Sequence, residues 1–155
     1  MLDLQYLQGI VVVRLRDPLG RELLDRLGAA LAYIGPERSI VLTGTGDVFA
    51  RDLPVEENPP LARLAEVRDE LLSHPRTVVA AINGDAVGAG WALAEAAHVR
   101  VMAGGVLRPS AARAVRYPVV AALAAGLVEY SSTPARLLDD ALMLAGRLQP
   151  HVAAG

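Results

Sequence analysis

The chain has no cysteine, which excludes disulfides, thiol catalysis and thiolate metal sites and fits a reducing compartment. Aromatic residues make up only 4% of its 155 residues, with one tryptophan and one phenylalanine. Its core must therefore be built from small and aliphatic side chains at close backbone approach, not around a large aromatic pocket. Neither sign of charge prevails, since 15 basic and 17 acidic residues leave a net charge of −2. That balance provides no basic footprint for nucleic acid and no polybasic patch for a membrane surface. No window approaches the roughly 18 uninterrupted apolar residues of a membrane span, and MLDLQYLQG lacks the basic and apolar regions of a signal peptide. A soluble, cytoplasmic protein is the expectation. What the chain has in quantity is hydrophobic residues, at 53%, enough at this length for one domain that buries about two-thirds of its unfolded surface.

Read in order, the opening alternates apolar Leu2, Leu4 and Tyr6 with polar Asp3 and Gln5, the period of a half-buried strand. Gln8-Gly9 is a turn, and the β-branched run from Ile10 to Leu15 completes a predicted hairpin. Asp17-Pro18-Leu19-Gly20 stops that strand. From Arg21 to Ile34, Leu23, Leu24, Leu27, Ala30 and Leu31 fall at helical spacing. Gly35-Pro36 ends this helix, and Ser39 to Thr43 reads as a short buried strand, so a right-handed βαβ connection is expected. Arg51 to Pro60, with Pro54, Pro59 and Pro60 among acidic residues, reads as a surface loop near an opening. Leu61 to Leu72 is a second amphipathic helix, Thr77 to Ile82 and Val99 to Met102 are strands, and Trp91 to Ala97 is an Ala-rich helix between them. Strands alternate with helices, and the predicted class is α/β. Residues 1–106 form the expected α/β core and residues 107–155 a C-terminal helical segment, packed on that core or on a neighbouring subunit within a single domain. In that segment Pro109 to Gly126 reads as one or two short helices around Pro118, and Leu127 to Tyr130 as a brief extended piece. Thr133-Pro134 starts a closing helix with Leu137, Leu138, Ala141, Leu142, Ala145 and Leu148 on its apolar face, and residues 149–155 form a frayed tail.

Chemistry is expected in Asn83-Gly84-Asp85-Ala86-Val87-Gly88-Ala89-Gly90. Its glycines let the backbone turn sharply and lie bare against a ligand. The turn also delivers unpaired N–H groups at a helix start, where partial positive charge suits a phosphate, a carboxylate or a developing oxyanion. A tight strand-to-helix connection with nothing bound is the equally simple alternative. A second Gly-rich turn, Thr43-Gly44-Thr45-Gly46-Asp47-Val48-Phe49-Ala50, follows an earlier strand in the same way.

With these two motifs the sequence resembles the crotonase superfamily of enoyl-CoA hydratases and isomerases. IVLTGTGDVFARDL is similar to the family's strand and loop, TVVAAINGDAVGAGWALAEAAHVRVMA to its strand, Asn-Gly turn and Gly-rich helix start, and AAGLVEYSSTPARLLDDALMLAGRL to its later helices. The resemblance implies a crotonase-like spiral of β-β-α units with a C-terminal helical segment. It also implies binding of an acyl-CoA thioester whose carbonyl oxygen is held by two backbone N–H groups, and a homo-trimer or a pair of trimers. Preorganised donors of that kind stabilise negative charge where it develops. Carried over residue by residue, the donors fall on Ala89 and Ala50, and Gly84, Gly88, Gly90, Asp52 and Leu53 surround the thioester. No cofactor beyond the acyl-CoA itself is implied. Two residues that the family places between the phenylalanine and the aspartate are missing from Phe49-Ala50-Arg51-Asp52.

The acid and base that the resemblance implies are absent. The family's first glutamate position is Ala92, and Gly104 to Pro109 carries no carboxylate where a Pro-Glu segment is expected. Adding water across a double bond then has no evident proton donor or acceptor. Glu95, Asp85 and His98, which stands where the family has aspartate, are substitutes by position; each also has a structural reading, as a solvated helix residue, a turn residue and a helix-end residue. His74, His98 and His151 are too scattered for a metal site. No serine sits on a Gly-x-Ser-x-Gly elbow, and the spacing from Gly84 to Gly90 does not match a dinucleotide fingerprint. Two readings of different classes follow: an enoyl-CoA hydratase/isomerase-like protein, or a catalytically inactive member that keeps the fold for binding or assembly.

Overall fold

A computed structural model of the chain describes residues 2–16 and 18–147. Asp17, Leu148 and the expected tail over 149–155 lie outside the described residues. The hairpin is present as β1 (Leu2–Leu7) and β2 (Ile10–Leu15), paired antiparallel from Leu2↔Leu15 to Leu7↔Ile10. Gln8 and Gly9 make its turn with φ of 55° and 78°. The chain continues through α1 (Arg21–Ile34), β3 (Ile40–Thr43), β4 (Val48–Ala50), α2 (Leu61–Ser73), β5 (Val78–Ile82), β6 (Asp85–Val87), α3 (Ala89–Glu95), β7 (Val99–Met102) and β8 (Val106–Arg108). It ends in β9 (Tyr117–Pro118), α4 (Val119–Ala124), β10 (Tyr130–Ser131) and α5 (Leu137–Arg147).

A β-β-α unit recurs although no sequence repeat accompanies it. In the second, third and fourth units the first strand joins one sheet and the second strand another. The larger sheet has the order β1-β2-β3-β5-β7-β10 and the smaller β4-β6-β8-β9. From β2 to β10 the larger sheet is parallel, which requires a crossover between successive strands and lets both faces be covered. Its strands alternate strictly between two cores. Val11, Val13, Ile40, Leu42, Val78, Ala80 and Ile82 face the main core with α1, α2 and α3. Val12, Val41, Val79, Ala81 and Val101 face a second core made with Leu137, Ala141, Leu142 and Ala145 of α5. The apolar stripe of the closing helix is thus used on the chain's own sheet.

The strands of the smaller sheet, the second strands of the β-β-α units, left no signal of their own, because β4, β6 and β8 are three residues each, shorter than any period can register. Three readings of the sequence change. Residues 109–116 contain no helix; Tyr117 and Pro118 instead pair antiparallel with Leu107 and Val106, and only Val119–Ala124 is helical. The closing helix starts at Leu137, after a turn in which Arg136 N–H bonds to Thr133 C=O. Helix α3 starts two residues before Trp91, at Ala89. Among the described residues no helix is long and apolar enough to cross a membrane.

Candidate functional site

Asn83 fastens the two Gly-rich turns to each other. Its Oδ1 accepts from Gly44 N–H at 2.9 Å, while its Nδ2 donates to the carbonyls of Gly46 at 2.9 Å and Val48 at 3.1 Å. Asparagine offers one acceptor and two donors in one plane, and all three are used here across 35 to 39 residues of sequence. Thr43 Oγ1 adds a bond to Ala81 C=O, and Thr45 Oγ1 one to Leu15 C=O. The loop carrying Ala50 is thereby set against the turn carrying Ala89.

At two glycines of the second turn the space a Cβ would take is filled by the chain's own backbone. Gly84 is buried, and a Cβ there would stand 1.9 Å from the Asp47 carbonyl oxygen; Gly90 is buried, and a Cβ there would stand 2.0 Å from the Ala50 carbonyl oxygen. Both serve close approach of the chain to itself, where β6 passes the first turn and α3 rests on β4. Gly88 differs. It precedes α3 with φ +54, and the space a Cβ would take is filled by the Asp52 carboxylate, with Cγ at 2.3 Å.

Ala89 is the first residue of α3 and 8% exposed, so its N–H is one of the amides without an intrahelical partner. It donates to Asp52 Oδ1 at 2.9 Å, and the same oxygen accepts from Leu53 N–H at 2.9 Å. The proposed donor is therefore oriented toward an anionic oxygen, and that oxygen belongs to the chain. Ala50, the other expected donor, is the last residue of β4 and is bridged to Ala86 of β6 across a register shift. A cleft of about 300 Å³ lies beside it, lined by Leu15, Arg16, Pro18, Thr45, Val48, Phe49, Ala50 and Arg51. Arg16 is ion-paired with Asp3; Arg51 is exposed.

The substitutes for the missing acid and base are all committed elsewhere. Glu95 pairs with Arg68 of α2 at 3.1 Å, on the exposed side of the α2–α3 contact. Asp85 accepts from Val106 N–H at 2.9 Å and so joins β6 to β8. His98 bridges α2 and β5: Val78 N–H donates to its Nδ1 at 2.9 Å and its Nε2 contacts Leu72 C=O at 3.1 Å. A backbone amide only donates and a carbonyl only accepts, so the hydrogen is on Nε2 and the ring is neutral in this arrangement. Ala92 carries no functional group, and Pro109 is followed by Ser110. The carboxylate that the fold does bring to the turn is Asp52. Arg100, which the sequence did not single out, closes the far end of α3. Its guanidinium donates to the carbonyls of Ala94, Glu95, Ala97 and Leu127 and pairs with Glu129. Nothing in its spacing announced that role. Among the described residues no cluster of three or more His, Asp or Glu side chains is placed to hold a metal ion.

A family model described as enoyl-CoA hydratase/isomerase matches residues 5–106. The chain belongs to that family. A probable enoyl-CoA hydratase, echA6, of Mycobacterium tuberculosis (strain CDC 1551 / Oshkosh) is 33% identical over 121 residues, covering 66% of this chain and 47% of that protein. A probable enoyl-CoA hydratase of Bacillus subtilis (strain 168) is 30% identical over 113 residues, covering 62% and 44%. The chain thus spans a little under half the length of the curated relatives it matches. The crystal structure of an enoyl-CoA hydratase from Bacillus anthracis superposes with a TM-score of 0.80 at 21% identity, covering 94% of this chain and 75% of that one. A monofunctional enoyl-CoA isomerase from M. smegmatis does so with a TM-score of 0.81 at 21% identity, covering 94% and 83%. At that identity the likeness establishes the crotonase fold, and membership rests on the family model. The spiral of β-β-α units and the helical C-terminal segment are those of the family.

Proposed function

We propose that this enoyl-CoA hydratase/isomerase family member binds an acyl-CoA thioester at the Gly88-Ala89-Gly90 turn, with the Ala89 and Ala50 amides as oxyanion donors, and does not hydrate it. The observation that carries the reading is the 2.9 Å hydrogen bond from Ala89 N–H to a carboxylate oxygen, since a donor already aimed at one anionic oxygen is suited to a polarised carbonyl in its place. The neighbouring cleft, whose lining includes the exposed Arg51 and the Asp3-paired Arg16, supports binding of the phosphates of CoA. All 15 basic residues of the chain are arginine, whose planar fork matches phosphate oxygens. Hydration is disfavoured because Ala92 and the 104–110 segment supply no carboxylate pair, and Glu95, Asp85 and His98 are held by structural partners. Glu95 and Asp85 would have to abandon those partners to act as acid or base.

The test is titration of the full chain with crotonyl-CoA and longer enoyl-CoAs, following heat of binding and loss of the conjugated thioester absorbance. Binding without turnover is expected. Ala89→Pro deletes the donor at a first helical position, where proline is tolerated, and abolishes that binding while the helical circular dichroism stays as in the wild type. Turnover would overturn the non-hydratase reading. Absence of any CoA-ester binding would leave the reading of a fold kept for assembly, in which the family resemblance points to a trimer or a pair of trimers. A monomer by light scattering would then refute that second reading too.

A further inference from the structure

We propose that β1 is an interaction surface for a second copy of this chain, the two β1 strands pairing antiparallel about a two-fold axis at Leu4 so that their sheets become one. β1 is the first strand in the order β1-β2-β3-β5-β7-β10, and among the described residues only β2 pairs with it. Gln8 and Gly9 form a two-residue turn with positive φ at both, and in such a hairpin the residues that close the turn exchange their backbone bonds. Leu7↔Ile10 is that pair, so Gln5↔Val12 and Asp3↔Arg14 are bonded in the same way. The N–H and C=O groups of Leu2, Leu4 and Tyr6 therefore point away from β2, along an open edge. Natural sheets blunt such an edge with proline, lysine or a bulge. Leu2–Leu7 contains neither residue, and its ladder with β2 runs from end to end without a shift of register.

The side chains of the edge select its partner. Leu2, Leu4 and Tyr6 stand on the face of the main core, where the leucines pack and Tyr6 stays 49% exposed; Asp3 and Gln5 stand on the other face. An antiparallel copy must set outward-bonding residues opposite one another, and three registers do so for at least two residues of each strand. Centring on Asp3 puts two carboxylates face to face, which is destabilising. Centring on Gln5 puts Asp3 opposite the apolar Leu7. Centring on Leu4 pairs Leu4 with Leu4 and Leu2 with Tyr6 on one face and Asp3 with Gln5 on the other, and it uses all three outward residues of each strand. Each carboxylate then meets an amide able to donate to it, and the exposed ring of Tyr6 is covered by the second copy's Leu2. The second copy's Gln5 lies over an open depression of about 410 Å³ whose lining includes Asp3, Val12 and the half-buried Arg14. One strand pair is a small interface, so the association is weak and depends on concentration.

The experiment is sedimentation equilibrium of the full chain over a wide concentration range, with wild type, Gln5→Asp and Gln5→Arg compared. Gln5 is exposed, so the fold tolerates both substitutions, and the two-fold axis makes each act twice. Gln5→Asp sets carboxylates opposite each other and is expected to weaken association about tenfold, whereas Gln5→Arg sets opposite charges together and strengthens it. If another surface assembles the chain into trimers, the same shifts fall on the doubling from trimer to hexamer. A wild type that shows no doubling, or equal association in all three proteins, would overturn the proposal. Cross-linking tests the register separately. Leu4→Cys gives the cysteine-free chain one thiol at the axis, where facing Cα atoms of a bonded pair lie about 5.5 Å apart, within disulfide reach. Oxidation is expected to link Leu4→Cys into dimers and to leave Gln5→Cys, which faces Asp3, largely unlinked; the opposite preference would refute an axis at Leu4. Neither readout involves a CoA ester, so the acyl-CoA reading stands or falls on its own titration.

Discussion

The larger sheet presents buried aliphatic side chains on both faces of β2, β3 and β5, so each strand is held by many interchangeable contacts. The smaller sheet has strands of two or three residues, and it is held by single atoms placed where nothing else fits. Those atoms are the three polar bonds of Asn83, the Asp85 bond to Val106 N–H, and the missing Cβ of Gly84, Gly90 and Gly105. Apolar packing spreads a perturbation over many neighbours, whereas a backbone in van der Waals contact with another backbone has no side chain to move aside. The site lies on the second kind of structure, since Ala50 belongs to β4 and Ala89 follows β6. Substitutions in the two sheets should therefore differ in cost far more than the atoms added or removed would suggest.

The largest effect is expected from one methyl group. Gly84→Ala places a Cβ 1.9 Å from the Asp47 carbonyl oxygen and 2.1 Å from its carbon, both backbone atoms, so β6 must separate from the first turn. A loss of about 3 kcal/mol or more is expected, read from urea unfolding; a loss below that of Ile82→Val would erase the distinction between the sheets. Asn83→Ala removes the fastening and leaves Gly44 N–H without its acceptor. It should cost about 2 to 3 kcal/mol, with faster amide exchange in β4 and β6 than in β3 and β5. Ile82→Val trims a fully buried side chain in the larger sheet, where the neighbours relax, and about 1 kcal/mol is expected.

The same contrast explains what was legible in the sequence. Alternation in β1, the apolar runs of β2, β3 and β5, and the leucine stripes of α1, α2 and α5 report burial directly, because a sheet or helix face must be apolar to be covered. β4, β6 and β8 report nothing, since three residues carry no period and their pairing depends on partners dozens of positions away. The site divides likewise. Asn83, Gly84 and Gly88 to Gly90 drew notice as a motif, but that Gly84 and Gly90 let the chain's own backbone pass closely could not be read from their spacing. That Asp52 would reach Ala89 was invisible, because the bond spans 37 positions and depends on how the chain leaves β4. The closing helix was legible as apolar on one face, yet only the fold reveals that its own sheet takes that face.

The smallest effect isolates the cause, because it repeats the geometry of Gly84 with a different neighbour. At Gly28, inside α1, an added Cβ would stand 2.1 Å from Arg63 Nη2, nominally as severe a clash. Here the obstacle is the far end of a flexible side chain on α2, held near Asp25 and Glu66 by surface ion pairs. The Glu66 carboxylate raises the Arg63 pKa above its ordinary value, but the guanidinium is charged at any working pH in either case, and its long side chain is free to swing outward. Exposed pairs of this kind contribute little to stability. Replacing a mid-helix glycine by alanine gains up to about 1 kcal/mol of helix propensity, so Gly28→Ala should leave stability unchanged or raise it slightly in the same urea assay. Were Gly28→Ala to cost as much as Gly84→Ala, distance alone would govern, and the distinction between backbone and side-chain obstacles would be wrong.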